Sequence, residues 1–318
     1  MRNIVKHKYG SKPYNFPWFV LFISLAVLIQ FLMINYKNHF EIIHSKTFTL
    51  FTAPDTIEIY KGKYWGVFTN NFTHIYWGQL VVNLFGIWLF GAYIERRIGF
   101  RKTVWLIILF SIIPSLWQLT LTTQPGIGLS GVNYALFGYI LSKSHFNSDF
   151  KLRGRYILLL LMLAIIGYCY YINYTIENVF RTEAMFLGLL LGLLLGRLSE
   201  LKDVSFKVII LGLVVLVSLP TLFYSPWSSE WQLYKGIVFH EKGNYRLAKK
   251  FYRTALKIDK TNLRAKNNLD LLDIDKLKVK AYKSHVAGNY DIAKKYYEKI
   301  LKIDPKDIWA IENIKELP

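Results

Sequence analysis

Apolar residues gather into seven blocks, at 17–35, 76–94, 103–122, 130–146, 156–173, 183–198 and 206–223, separated by short connections except for a long loop after the first. Each is close to the ~20 residues with which a helix crosses about 30 Å of hydrocarbon while satisfying its own backbone polar groups. The pattern predicts a polytopic membrane bundle. The first block is too long for a cleavable leader, follows a polar tail and lacks a small-residue cleavage pattern. Beyond Pro226 the Leu, Ile and Val runs give way to amphipathic segments rich in Lys, Tyr and Ala with helical period. This places an N-terminal tail at 1–16, a transmembrane domain at 17–224 and a second domain at 230–318.

Two stretches of the second domain are self-similar. Gly243, Tyr245, Ala248, Phe251, Tyr252 and Asp259 recur as Gly288, Tyr290, Ala293, Tyr296, Tyr297 and Asp304, with Pro305 closing the second copy. A glycine turns the chain between two helices, a small alanine lets them approach, and a proline ends the pair. The stretches resemble tetratricopeptide repeats, which implies a helical module that binds other proteins; the alternative is a generic charged helical hairpin. Gly243 and Gly288 are 45 residues apart, against a repeat period of about 34. An extra helical turn or loop near residues 262–275 would absorb the excess. Two units are fewer than the three or so usually needed for a free-standing core, so the module is expected to lean on the membrane domain, dimerise or take a partner.

Charge orients the bundle. Arg2, Lys6, Lys8 and Lys12, then Arg96, Arg97, Arg101 and Lys102, then Lys143, Lys151, Arg153 and Arg155 mark one side as cytoplasmic, whereas residues 122–128 carry no charge. Seven spans starting inside finish outside, which puts the repeat domain in the extracytoplasmic space. The net charge of +19 is largely consumed by these loops. No stacking platform or basic reading helix accompanies it, so nucleic acid is excluded as a partner. The tail after residue 229 carries 20 Lys and Arg against 12 Asp and Glu, which suits an anionic lipid surface or an acidic partner. A single cysteine, Cys169, allows no internal disulfide. No metal constellation, phosphate loop or dinucleotide fingerprint occurs, so no metal or cofactor is expected. The spans are too uniformly apolar for a channel or transporter.

The fourth block opens with Gly128, Ser130, Gly131 and, one turn on, Tyr134. The second carries Gln79 and Asn83 four residues apart on one helix face, then Gly91, Glu95 and Gly99; the sixth carries Ala184, Met185, Gly188 and Gly192. Together these resemble the rhomboid intramembrane proteases over roughly residues 17–198. The resemblance implies an all-α fold: a six-helix rhomboid core plus one extra transmembrane helix, followed by the small helical-repeat domain. It implies Ser130 at the nucleophile position, Gln79 and Asn83 at the oxyanion hole, and Gly128 and Tyr134 in the pocket. Two positions depart from the family. The first oxyanion histidine is Gln79, which still offers an amide N–H2. The catalytic histidine is Met185, which fills a similar volume but takes no proton near neutral pH. At Trp65-Gly66 the family's loop arginine is also missing, which removes a loop anchor.

Each of these residues has a plainer reading. Ser130 would serve as a helix N-cap. The glycines at 128, 131, 188 and 192 would let membrane helices pack backbone to backbone, the sixth span against the fourth. Asn83 would make a structural hydrogen bond to the loop before Ser130. Of the histidines only His74 is on the outer side near the second span; His39 and His44 lie in the loop after the first, His7 in the inner tail, and His145, His240 and His285 elsewhere. Recruiting His74 as base would require it to stand in for a residue of another helix. Arg181 and Glu183 read as interfacial anchors. A one-turn slip of the sixth span would put Arg181, Thr182, Gly188 or Leu189 at the histidine's position.

Three functions follow. The first is a catalytically impaired rhomboid-like adaptor that holds client transmembrane helices, its tail recruiting a second protein, in what reads as a bacterial cytoplasmic membrane. The second is a working serine endopeptidase using Ser130. The third is a soluble tail on a membrane anchor, against which seven spans argue, since one would serve.

Overall fold

The computed structural model describes residues 16–35, 53–74, 76–121, 127–175 and 182–317. The N-terminal basic cluster, His7, His39, His44, Arg181 and most of the uncharged 122–128 connection lie outside them. The described residues are helical with no strand, and the chain divides into two compact units, residues 1–223 and 224–318.

The first unit is an all-α, multi-pass membrane bundle. Its apolar helices are α1 (Trp18–Asn35), α4 (Trp77–Ile98), α5 (Phe100–Leu121), α6 (Ser130–Lys143), α7 (Arg155–Thr175), α8 (Thr182–Glu200) and α9 (Val204–Ser218), with two short helices, α2 (Thr56–Tyr60) and α3 (Gly66–Thr69), among the described residues between α1 and α4. Among the described residues five are long and apolar enough to cross a membrane, α9 when its 3₁₀ continuation to Leu222 is counted with it, while α1, apolar over Trp18–Ile34, and α6 are shorter. With 14 residues, α6 spans only about 21 Å at 1.5 Å per residue, some 9 Å less than the hydrocarbon. Yet it is buried nearly throughout. Other helices surround it and replace the lipid along most of its length.

The fourth and sixth spans run parallel with their backbones in contact. Gly188 lies on the Gly131 carbonyl, Gly192 on the Ala135 carbonyl and Gly196 on the Tyr139 carbonyl, while Gly138 lies on the Leu189 carbonyl. This is the pairing expected of small residues at four-residue spacing, and it sets one register along the whole interface. In contrast, α7 and α9 are peripheral: 11% of each spanning window is buried, against 56% for α5 and α8. Glu95, 5% exposed, receives the Phe19 and Val20 N–H groups at 3.0 Å each. A carboxylate from the second span thus caps the first, where free N–H groups and the helix dipole favour negative charge.

The second unit contains α10 (Ser229–Glu241), α11 (Tyr245–Ile258), α12 (Leu263–Val286), α13 (Tyr290–Ile303) and α14 (Ile308–Lys315). Gly243 and Gly288 turn the chain at φ +70° and +73°, and Ala248 and Ala293 are fully buried at the crossings. The 45-residue offset extends to side-chain bonds: His240 meets the Tyr252 hydroxyl at 3.3 Å, and His285 meets that of Tyr297 at 2.8 Å. The excess over a standard repeat is taken up without a loop, because α12 runs unbroken for 24 residues.

Burial, and secondarily the Glu241 charge, pushes the Tyr252 phenol up to about 12. The unfolded chain therefore ionises this group first, near pH 10. The stabilisation it contributes is full below pH 10 and is lost as pH rises toward 12. Helicity of the tail, followed by circular dichroism on an alkaline titration, is expected to fall over this interval, and Tyr252→Phe is expected to flatten the fall.

Candidate functional site

The site lies where the connection before α6 meets the start of α4. Gly128 has φ +99°, a conformation that favours glycine, and a Cβ there would stand 2.7 Å from Gln79 Nε2, 3.2 Å from Asn83 Nδ2 and 3.3 Å from His74 Nε2. Three nitrogen-bearing side chains therefore converge on the backbone just before Ser130. Gln79 donates to the Ile127 carbonyl at 2.9 Å, and Asn83 Nδ2 meets His74 Nε2 at 3.0 Å. Gly128 N–H donates to the Asn70 carbonyl at 2.9 Å.

His74 is fully buried. Its Nδ1 lies 2.9 Å from the Phe72 carbonyl, which only accepts, so Nδ1 carries the proton. Its Nε2 is then the acceptor, and it faces the Asn83 amide and, at 3.5 Å, the Leu129 N–H. The Nε2 lone pair is thus turned to two N–H donors. A side chain that sequence reasoning treats as an outlying candidate base is here a buried acceptor that staples the second span to the serine turn.

Ser130 does not cap its helix. It is the first helical residue; Leu129 holds the cap position, with no side-chain cap bond. The N-cap alternative is therefore corrected. Tyr134, 5% exposed, donates its hydroxyl to the Met162 carbonyl of α7 at 2.8 Å. Met185 is 4% exposed and belongs to the same apolar core as Tyr134. Gly131 lies against both Ala184 and Gly188, so Met185 and Ser130 belong to the same end of one parallel helix pair, in the register that the glycine spacing predicts.

Gly66, where the resemblance expects a loop arginine, is closely packed. A Cβ at Gly66 would overlap Pro54 and stand 2.9 Å from Ile59 Cγ1, leaving no room for a longer side chain. The loop is anchored otherwise. Asp55 caps α2, Asn70 Nδ2 donates to the Pro54 carbonyl at 3.1 Å, and Asn71 Nδ2 reaches Val67, Phe68 and Ser111 carbonyls and Ser115. Glu183, expected as an interfacial anchor, accepts from Gln118 Nε2 at 3.2 Å, while Gln118 Oε1 receives the Ala184 N–H at 2.8 Å. Sequence reasoning passed over Asn71, Gln118 and Asn133. The available signal was a polar side chain within or beside an apolar run.

Comparison with known proteins finds a match in each part of the chain. Residues 61–201 match the Rhomboid domain, and residues 235–262 and 287–307 match the Tetratricopeptide repeat. The chain is 24% identical over 187 residues to the Rhomboid protease GlpG of Salmonella typhi, covering 58% of this chain and 63% of that protein. It is 24% identical over 164 residues to that of Salmonella newport (strain SL254), covering 51% and 58%. With Salmonella paratyphi A the identity is 26% over 123 residues, 39% of this chain and 41% of the relative. The match thus spans less than two thirds of the length of each of these relatives.

Proposed function

From the premise that this chain is a rhomboid-family membrane protein with tetratricopeptide repeats, we propose that it is a non-proteolytic adaptor. It holds transmembrane helices of client membrane proteins in a pocket that keeps the protease's shape, and its repeat tail recruits a second protein. The observation that carries this reading is that the described residues present no side chain placed to act as base for Ser130. Met185 stands at the histidine position of the family motif, and the nearby His74 turns its lone pair to Asn83 and Leu129. Removing the histidine of a serine triad costs on the order of 10⁶ in turnover, leaving about 10³–10⁴ over water from binding and the oxyanion hole. Support for a bacterial cytoplasmic membrane, with the N-terminus inside and the repeat domain outside, comes from the bacterial relatives and from the Lys and Arg loop pattern.

The competing reading, an active intramembrane serine endopeptidase, draws on the convergence of the Gln79 and Asn83 amides next to Ser130. Proteoliposomes containing the full chain and a labelled transmembrane peptide separate the two. We expect energy transfer between protein and peptide without cleavage, and Ser130→Ala should change the transfer by less than about twofold, as befits a residue that removes no binding contact. A peptide fragment that disappears with Ser130→Ala would establish the protease instead. Deletion of residues 230–318 is expected to leave peptide binding intact and to abolish recruitment of the second protein.

A further inference from the structure

Asn133 stands on α6 three residues after Ser130, 5% exposed, where an apolar side chain would pack without polar cost. Its Nδ2 donates to both oxygens of Asn83, the backbone carbonyl at 3.0 Å and the side-chain Oδ1 at 3.2 Å. Its own Oδ1 is buried without a hydrogen-bond partner. An orphaned buried acceptor costs about 1–3 kcal/mol, whereas an apolar residue of the same shape costs little, so stability alone does not favour asparagine here. The space it occupies is made by Gly86, where a Cβ would stand 2.6 Å from Asn133 Nδ2. The second span turns π-helical directly afterwards, over Ile87–Gly91, as helices do where a side chain engages the backbone ladder.

We propose that Asn133 is the positioning residue of this pocket: by donating to Asn83 Oδ1 it turns the Asn83 amide N–H2 toward Gly128 and the serine turn, so that the backbone carbonyl of a client chain meets a donor already aimed. An asparagine amide has two orientations of similar intrinsic energy, and its neighbours choose between them. Two neighbours choose here, His74 Nε2 at one end and Asn133 Nδ2 at the other. When a client carbonyl draws the N–H2 group away from His74, Asn133 alone holds the orientation. The inference takes the identity of its ligand, a peptide carbonyl oxygen, from the adaptor reading above; the orientation of Asn83 stands apart from it.

The test uses the full chain carrying Met185→His, with a fluorophosphonate as probe, because its phosphoryl oxygen occupies the oxyanion position. Asn83→Ala is expected to slow labelling by about 100-fold, the usual cost of one oxyanion donor, and Asn133→Leu by about tenfold. The double variant should be no slower than Asn83→Ala alone, since residues acting through one group are non-additive. Gly86→Ala, whose Cβ would overlap the Asn133 amide and displace it while residue 133 stays asparagine, should resemble Asn133→Leu. Additive effects, or unchanged labelling in Asn133→Leu, would overturn the proposal. Should the Met185→His chain not label at all, the assignment of the nucleophile site fails, and Asn133 is judged in the natural chain by the ¹⁵N resonance of His74 Nε2. This is expected to move on Asn133→Leu in the direction it moves on Asn83→Leu, and no further in the double variant. An unmoved resonance overturns the proposal.

Discussion

Met185→His, alone in the natural chain, is expected to raise fluorophosphonate labelling of Ser130 by about 100-fold or more, the contribution of a positioned general base being about 10²–10⁴. The natural chain and the Ser130→Ala control should stay at background. The expectation rests on register. Gly131 lies against Ala184 and Gly188, and Gly192 lies on the Ala135 carbonyl one turn further. These contacts hold the first turn of α8 beside the first turn of α6, so a side chain at 185 is presented at the serine end of the pair. The slot is apolar and closed, Met185 being 4% exposed, and a thioether and an imidazole are close enough in volume to exchange with modest repacking. Labelling of the natural chain at Ser130 would mean that a base exists elsewhere and would revive the endopeptidase. Absence of labelling in a folded Met185→His chain would mean that the pocket has diverged beyond the loss of one residue, and the adaptor reading would lose its derivation from a protease scaffold.

The positions of the spans and of the serine turn were legible in the sequence because both depend on local composition. The lipid selects apolar runs wherever they fall, and the pattern of Gly128, Ser130 and Gly131 predicts a tight turn into a helix without knowledge of any partner. The helix pairing was legible for a similar reason, since Gly188 and Gly192 state their own requirement for a close backbone. The polar partners were not. His74 finds Asn83 nine residues on and Leu129 fifty-five residues on, and Asn133 finds Asn83 across fifty, choices that exist only after the helices pack. The N-cap reading of Ser130 failed likewise, because it assumed an isolated helix start, whereas this helix begins inside a bundle. Gly66 reads as a lost arginine in a motif and as a required void in the structure, since only Pro54 and Ile59 reveal why nothing larger fits. In the tail, the recurrence of Gly243, Tyr245 and Tyr252 at Gly288, Tyr290 and Tyr297 was sufficient to place the units, and the choice between a loop and a longer helix was settled by the uninterrupted α12.

Gly192→Ala is expected to be the most damaging single-methyl change in the membrane domain. Its Cβ would overlap the Ala135 carbonyl oxygen and lie 2.8 Å from both the Ala135 carbonyl carbon and the Tyr139 nitrogen. These are backbone atoms of a packed helix, so no rotamer change relieves the overlap and the two helices must separate. Overpacking where side chains can yield costs about 1–3 kcal/mol, and here the cost should reach the top of that range or beyond. For a domain of this size about 3 kcal/mol lowers the melting temperature by about 6–12 °C. The chain carries its own reporter in Cys169, its single cysteine and a buried free thiol. A thiol-reactive fluorophore followed on heating would register its exposure. Gly212→Ala is the control, since nothing lies within 4 Å of a Cβ there, and its melting temperature should not fall, alanine being the better helix former. Equal tolerance at the two sites would show that α6 and α8 do not pack in this register, and the placement of Met185 beside the serine turn would fall with it. A selective loss at Gly192 would tie fold and site together, because the contact that stabilises the bundle is the same one that carries position 185 to Ser130.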